Sequence, residues 1–359
     1  MRIAFRVDAG HRLGLGHLMR CLTLADQLRA HGAHCQFVCR QQTGLAGSLV
    51  RDHPLSLLPA PDGQALDDLP HAAWLGVSQA QDAADTLKAL EGSPVDWLVT
   101  DHYGLDARWH RALRPQAGRI LAIDDLADRE QAADLLLDQN LGRAAADYDG
   151  LVPATCQRLI GLQFALLREE FSRWRPTSLQ RQRHRLQHLM ISLGGVDADN
   201  ASGRVLQALA ACALPDIEAI TLVLGPAAPH REALETLLER YPHPVNLQVG
   251  INNMAERLAT TDLVIGAAGS SAWERCCLGL PSLLVVMADN QRPGAEALKH
   301  AGASLSLGWP GALEETLPRA MREVLAAGRL LEMSQNAAAI CDGLGVQRVA
   351  DALREGSDE

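Results

Sequence analysis

From Arg2 onward, short apolar runs of strand type alternate with stretches whose apolar residues recur at helical spacing, and this alternation restricts the chain to parallel α/β architectures. Arg2–Asp8 is the first β-rich run, and Gly10–Gly16 is a glycine-bearing loop. Leu18–Ala30 then sets Leu18, Cys21, Leu22, Ala25 and Leu28 at i, i+3, i+4 spacing, so the segment reads as a βα unit. Runs at His34–Cys39, Asp96–Thr100 and Arg119–Asp124 follow, separated by helical stretches such as Ala80–Leu90 and Asp106–Leu113. Aspartates stand at or just beyond the ends of these runs, where an open parallel sheet binds its ligands.

The pattern changes across Arg168–Arg185, where six arginines interrupt a segment containing Pro176 and Ser178; it reads as an interdomain crossing. A second series starts at Leu189–Leu193 and continues through Gly194-Gly195, a helix at Asn200–Ala213 and strand runs at Ile220–Leu224, Val245–Val249, Leu263–Ile265 and Leu283–Val286. The chain has 359 residues, and single cores stop growing near roughly 250–300. Two doubly wound, Rossmann-like domains are therefore expected, residues 1–172 and 173–345, with a cleft between their strand ends. Residues 346–359 read as a C-terminal helix and tail, for which a return to the first domain is one option.

Composition removes several function classes. The net charge is −10, so the overall basic footprint of a nucleic-acid binder is absent. Aromatic residues make up 4%, which disfavours lectin-like surfaces and stacking platforms for single strands. No apolar run approaches the roughly 20 residues of a membrane span, and the charges within Met1–Asp8 do not suit an export signal. Eight scattered cysteines in apolar surroundings read as reduced core thiols, so a cytoplasmic protein is expected. His31, His34, Cys35 and Cys39 lack the paired short spacings of a zinc site, and no metal or other cofactor is expected.

Gly14, Gly16 and His17 lie where the first strand passes into the first helix. Glycines there let backbone approach a ligand, and a helix N-terminus offers free N–H groups to phosphate. The spacing is not G-x-G-x-x-G, and Arg40 and Gln41 stand where a ribose-binding acid belongs, so a nicotinamide dehydrogenase is disfavoured. A helix N-terminus disfavours imidazolium, so His17 is expected to stay neutral and able to accept a proton. The plain alternative is a histidine that caps the helix. Arg20, one turn on, adds a positive neighbour.

A second glycine cluster, Gly266-Ala-Ala-Gly269-Ser270-Ser271-Ala-Trp273-Glu274, again joins a strand to a helix. Ser270 and Ser271 suit a phosphate or a helix cap, and Glu274 can accept two hydrogen bonds from a ribose diol or close a capping box begun by Ser271. Gly194 and Gly195 suit a diphosphate or a tight turn. Asp289, Asn290 and Gln291 suit a sugar, or Asp289 or Asn290 caps a helix. Asp101-His102-Tyr103 and Asp124-Asp125 end two strands, with Asp125 a candidate partner for Arg129.

In their order along nearly the whole chain, these segments resemble the UDP-2,4-diacetamido-2,4,6-trideoxy-β-L-altropyranose hydrolases of pseudaminic acid biosynthesis. The second glycine motif is also similar to that of the MurG-type glycosyltransferases. The resemblance implies two Rossmann-like domains in a GT-B arrangement and a UDP-sugar substrate, in a route toward nonulosonates and flagellin glycosylation. It implies His17 as catalytic base, with Gly14, Gly16, Arg20, Tyr103, Asp289, Asn290 and Gln291 toward the sugar. Gly194, Gly195, Gly269, Ser270, Ser271 and Glu274 would hold UDP. UDP is a good leaving group, so one base plus donors for the diphosphate suffice for attack of water at the anomeric carbon with inversion. A GT-B glycosyltransferase and a non-catalytic UDP-sugar binder remain the alternatives. The chain departs from the family pattern at Ala9-Gly10-His11-Arg12, where a serine-rich loop is usual.

Overall fold

A computed structural model describes residues 1–10, 13–42, 50, 52–61, 67–90, 92 and 94–356; the departure at 9–12 thus lies partly outside the described residues. The chain forms two compact units, Met1–Leu167 with Leu344–Glu359, and Arg168–Gly343.

The first unit runs β1 (Arg2–Val7), α1 (Gly16–Ala30), β2 (His34–Arg40), β3 (Leu55–Leu58), α2 (Ala72–Leu75), α3 (Gln79–Ala89), β4 (Val95–Asp101), α4 (Ala107–Leu113), β5 (Ala117–Ile123), β6 (Leu135–Asp138) and β7 (Gln157–Ile160). Its seven strands are ordered β3-β2-β1-β4-β5-β6-β7, all parallel. The strand order reverses between β1 and β4, where Val7 pairs with Asp101. A parallel sheet must be covered on both faces, and its strands are nearly continuous apolar runs as a result. Ile3, Phe5 and Val7 face a core shared with Leu18, Leu24 and Leu28 of α1, while Ala4, Leu98 and Ile120 face Trp109 and Leu113 of α4.

The second unit runs α5 (Glu169–Gln180), β8 (His188–Ser192), α6 (Ala201–Ala210), β9 (Ala219–Leu224), α7 (Arg231–Leu238), β10 (Val245–Val249), α8 (Met254–Ala259), β11 (Leu263–Ala267), α9 (Ser271–Cys277), β12 (Ser282–Val285), α10 (Arg292–His300), β13 (Ser304–Gly308), α11 (Leu313–Val324) and α12 (Arg329–Ile340). Its six parallel strands are ordered β10-β9-β8-β11-β12-β13, with the reversal between β8 and β11. The last helix, α13 (Gly345–Glu355), belongs to the first unit: Val349 and Leu353 join the core beside α1, and Leu353 O accepts from Trp97 Nε1 at 3.0 Å. A side chain at Gly345 would collide with the backbone of Ala165, so glycine is required for that approach.

Two readings of the sequence need correction. Most of the arginine-rich stretch expected as a crossing is helix α5, which tolerates Pro176 in its interior because the helix is pinned from outside. Arg175 donates to the carbonyls of Cys277, Ala338 and Cys341, and Ser178 Oγ donates to Leu278 O at 2.7 Å. The helix expected to run to Ala213 ends at Ala210, ahead of Pro215.

A buried ion network fixes the carboxyl ends of β1 and β2. Arg6 donates to Asp8 Oδ2 at 2.9 Å and to Asp82 Oδ1 at 3.0 Å, and Arg40 reaches Asp82 Oδ2 at 2.8 Å. Burial alone would raise the Asp82 carboxyl, yet Arg6 and Arg40 hold it down at about 2. Asp8 Oδ1 also accepts from Arg40 N at 2.7 Å, which closes the end of β1 over β2. Among the described residues no helix is long and apolar enough to cross a membrane.

Candidate functional site

The β1–α1 loop closes on itself: Gly14 N donates to Gly10 O at 2.8 Å, with Gly14 at φ +72°, a conformation that favours glycine. Helix α1 therefore starts at Gly16, and His17 falls in its first turn at the strand-order reversal of the first sheet. No side chain caps this helix and no acid lies in its first turn, so His17 is not the cap.

His17 Nδ1 lies 2.6 Å from Asp101 Oδ1, and the Asp101 side chain is fully buried. Burial pushes the Asp101 carboxyl up, but the Arg20 guanidinium and His17 outweigh it and hold it well below the carboxylate range. An ionised carboxylate only accepts, so the His17 hydrogen on Nδ1 faces Asp101 and Nε2 is the acceptor of the neutral ring, with Arg20 Nη2 3.2 Å from the same Nδ1. Arg20 bridges two carboxylates: Nε to Asp101 Oδ2 at 2.6 Å and Nη2 to Asp101 Oδ1 at 2.7 Å, then Nη1 and Nη2 to Asp125 at 2.9 and 2.8 Å. Tyr103 donates its hydroxyl to Asp125 Oδ2 at 2.7 Å, and its ring meets that of His17 edge to face at 4.8 Å. Burial and then Asp125 raise the Tyr103 phenol far above its ordinary value, so it remains a donor. The histidine is thereby clamped by a fully paired set of buried charges, an arrangement that holds one imidazole nitrogen ready to take a proton.

Gly14, Gly16, His17, Arg20 and Tyr103 are thus gathered at one end of the first sheet. Asp101 and Asp125 carry more of the geometry than their sequence context indicated. The structure also adds Asn140, which donates to Asp125 Oδ1 at 2.9 Å and to Asp138 Oδ1 at 2.7 Å. A signal for this layer was present: β4 and β6 finish in aspartate, at Asp101 and Asp138, and β5 is followed directly by Asp124-Asp125. The alternative in which Asp125 caps a short helix or pairs with Arg129 is not formed: Arg129 pairs with Asp124 at 2.8 Å, and Asp125 holds Arg20.

In the second unit the glycine loops also follow strands at the order reversal, where Gly266 pairs with Ser192. Gly194 has φ +107°, and the Gly195 backbone sits so close to Gly225 that a side chain on Gly225 would collide. Asp197 accepts from Ala201 N at 2.8 Å and Ser202 N at 3.0 Å, which takes up the first donors of α6. Buried Arg275 staples the other loop, donating to Ala267 O at 2.7 Å, Ser282 Oγ at 2.9 Å and Ser271 Oγ at 3.1 Å. Helix α9 has Ser270 at its N-cap without a side-chain cap bond, so the capping-box alternative for Glu274 is not formed. A side chain on Gly269 would meet Gln291 Nε2 at 3.4 Å, which places Gln291 over that loop; Asp289 and Asn290 are exposed on a single 3-10 turn and do not cap α10.

Burial raises the Glu274 carboxyl to about 7, with Arg168 Nη2 at 3.6 Å pulling only partly against it. The folded chain then holds this proton more tightly than the unfolded chain, so stability falls as pH climbs from about 4.3 toward the folded value and is flat beyond it. Glu274→Gln is accordingly expected to melt above the wild type at pH 8 and level with it at pH values near the unfolded one. A lower melting temperature at pH 8, followed by circular dichroism, would contradict the burial cost.

Residues 189–352 match the glycosyltransferase family 28 C-terminal domain. The chain is 25% identical over 303 residues to the UDP-2,4-diacetamido-2,4,6-trideoxy-beta-L-altropyranose hydrolase of Campylobacter jejuni, covering 84% of this chain and 97% of that protein. It is 23% identical over 361 residues to the spore coat polysaccharide biosynthesis protein SpsG of Bacillus subtilis, covering 99% and 98%. Among solved structures, Acinetobacter baumannii MurG superposes with a TM-score of 0.70 at 18% identity, covering 99% of both chains. With two parallel-sheet units that follow MurG over its length, and with these sequence matches, the chain is a GT-B-fold protein similar to the UDP-diacetamido-trideoxy-altropyranose hydrolase.

Proposed function

We propose that the protein hydrolyses a UDP-linked 2,4-diacetamido-2,4,6-trideoxy sugar, releasing UDP and the free sugar toward nonulosonate synthesis. The observation that carries this reading is the His17–Asp101 pair, with Nδ1 2.6 Å from the carboxylate, which turns Nε2 to the acceptor role in the neutral ring. Water gives a proton to Nε2 as its oxygen bonds to the anomeric carbon, while the carbon–oxygen bond to the β-phosphate breaks and UDP leaves with the electron pair. Arg20 commits four of its five N–H donors to Asp101 and Asp125 and so positions His17, beside its place on the sugar side. Tyr103, Gly14, Gly16, Asp289, Asn290 and Gln291 serve the sugar side. Gly194, Gly195, Gly269, Ser270 and Ser271 serve the diphosphate, and Glu274 accepts from the ribose hydroxyls.

The glycosyltransferase family 28 match over residues 189–352 favours a second reading, transfer of the sugar to an acceptor. Incubation with the UDP-sugar and no acceptor separates the two. UDP and free sugar are expected in equal amounts, followed by NMR; neither accumulating without an acceptor would reject hydrolysis.

The raised Glu274 carboxyl supplies a further test of the UDP assignment. As a carboxylate acceptor it must lose its proton, so UDP affinity should weaken as pH falls below about 7. Glu274→Gln should flatten that dependence and lose roughly 1.5–3 kcal/mol of binding at pH 8. Calorimetric titration that gives the same affinity and pH profile for both proteins would reject it.

A further inference from the structure

Four rings converge beside the His17–Asp101 pair. Tyr103 lies 5.5 Å from His71 and 5.4 Å from Trp74 between centroids, in addition to its edge contact with His17, and His71 lies 5.0 Å from Trp74. His71 is the N-cap residue of the single-turn helix α2 and Trp74 its third residue. The turn is anchored rather than loose: Gln42 Nε2 donates to Trp74 O at 3.1 Å, and Gly76 ends the helix at φ +76°, packed so closely on Pro61 that a side chain there would collide. His71 and Trp74 are only half-buried, and among the described residues no hydrogen bond engages the indole N–H of Trp74 or the ring nitrogens of His71. The chain has only six tryptophans and three tyrosines, so a Trp–Tyr contact next to a polar charge cluster is an uncommon use of scarce rings.

We propose that His71 and Trp74, packed at a tilt against Tyr103, form an aromatic wall that takes the apolar groups of the reacting sugar, its acetamido methyls and deoxygenated C6, beside His17. This rests on the reading that a nucleotide sugar reacts at His17. The physical basis is the electron-rich ring face, which favours the weakly positive hydrogens of C–H and methyl groups, together with removal of those methyls from water. A sugar with a C6 hydroxyl would leave that hydroxyl without a partner against the rings, so the wall selects deoxygenated, acetamido-bearing sugars.

Trp74→Ala is expected to raise KM for the UDP-diacetamido-trideoxy sugar about tenfold, the size of losing burial of one to two methyl groups, with kcat little changed. The preference over UDP-N-acetylglucosamine should narrow by the same factor, while the Kd for UDP alone stays that of the wild type. Trp74→Phe should retain most of the preference, and His71→Ala should lose part of it. Unchanged KM and preference in Trp74→Ala would overturn the wall, as would a parallel loss of affinity for UDP. If Trp74→Ala does not fold by circular dichroism, Trp74→Phe and His71→Ala carry the test. If the wild type releases no UDP, hydrolysis fails as a reading and the wall is judged by calorimetry instead. The affinity advantage of the UDP-sugar over UDP must then shrink in the variants, and an undiminished advantage rejects the wall independently.

Discussion

His17→Asn should lower kcat by about 10²–10⁴ and leave UDP affinity nearly intact. Asparagine keeps polarity and approximate size, and its amide can still donate to Asp101, so the buried network need not collapse. What it lacks is the basic nitrogen that His17 holds free once Nδ1 is committed to Asp101 at 2.6 Å. The residues assigned to UDP lie in the second unit, whereas His17 belongs to the first, so the nucleotide contacts are untouched by the change. The released sugar should be inverted at its anomeric centre. A covalent route would need a free carboxylate nucleophile near His17. Asp101 is fully buried and bound to both His17 and Arg20, while Asp125 is bound to Arg20, Tyr103 and Asn140. With both of these carboxylates engaged, we infer direct attack by water. Proton NMR during the first turnover reports the anomer before mutarotation; retention, or a His17→Asn enzyme of near wild-type rate, would remove His17 from this role.

The sheet architecture was legible because long apolar runs and the helical periodicity of segments such as Leu18–Ala30 are local signals. Strands β3, β6, β7 and β13 were not picked out: each is only four or five residues long, a length at which periodicity does not separate strand from helix. The glycine loops could be read because a strand-to-helix turn with glycines has a backbone reason to exist, as the left-handed Gly14 shows. The partners of His17 could not be chosen that way. Asp101 is 84 positions away in sequence and Asp125 lies 105 positions from Arg20, and nothing local says that Asp124 rather than Asp125 takes Arg129. What determines these pairs is strand order: β4 lies beside β1 and β5 beside β4, so aspartates at their ends arrive next to the loop that carries His17. The units part at Leu167 and Gly343, five and two residues before the expected boundaries at 172 and 345; what the sequence concealed was the helix that opens the second unit. Arginines and an interior proline look like a linker, but in α5 Arg175 is used to cap carbonyls of neighbouring elements.

Asp101→Asn is expected to damage both chemistry and stability, and the two effects can be told apart. The amide has one acceptor oxygen and one donor group, yet the site presents donors from His17 and Arg20 on both sides. If its N–H faces His17, Nδ1 must become the acceptor and the hydrogen moves to Nε2, so the base is lost by tautomer while the imidazole is still in place. A kcat loss of about 10²–10⁴ follows, comparable to removing the base itself. Separately, breaking one partner of a buried ion cluster costs about 3–5 kcal/mol, so the melting temperature should fall. The wild-type side of that effect has a definite sign. Arg20 and His17 hold the folded Asp101 carboxyl below its unfolded value near 3.9, so its stabilisation is fully present above that value and is lost only as pH falls below it. The variant should therefore be less stable than the wild type at pH 7, with the difference shrinking in acid. Nitrogen NMR of His17 at a temperature well below the variant's melting point distinguishes positioning from mere support. The hydrogen should sit on Nδ1 in the wild type and on Nε2 in the variant, with UDP affinity unchanged. A variant that melts early but keeps its Nδ1 hydrogen and its kcat would reduce Asp101 to a structural counter-ion of Arg20.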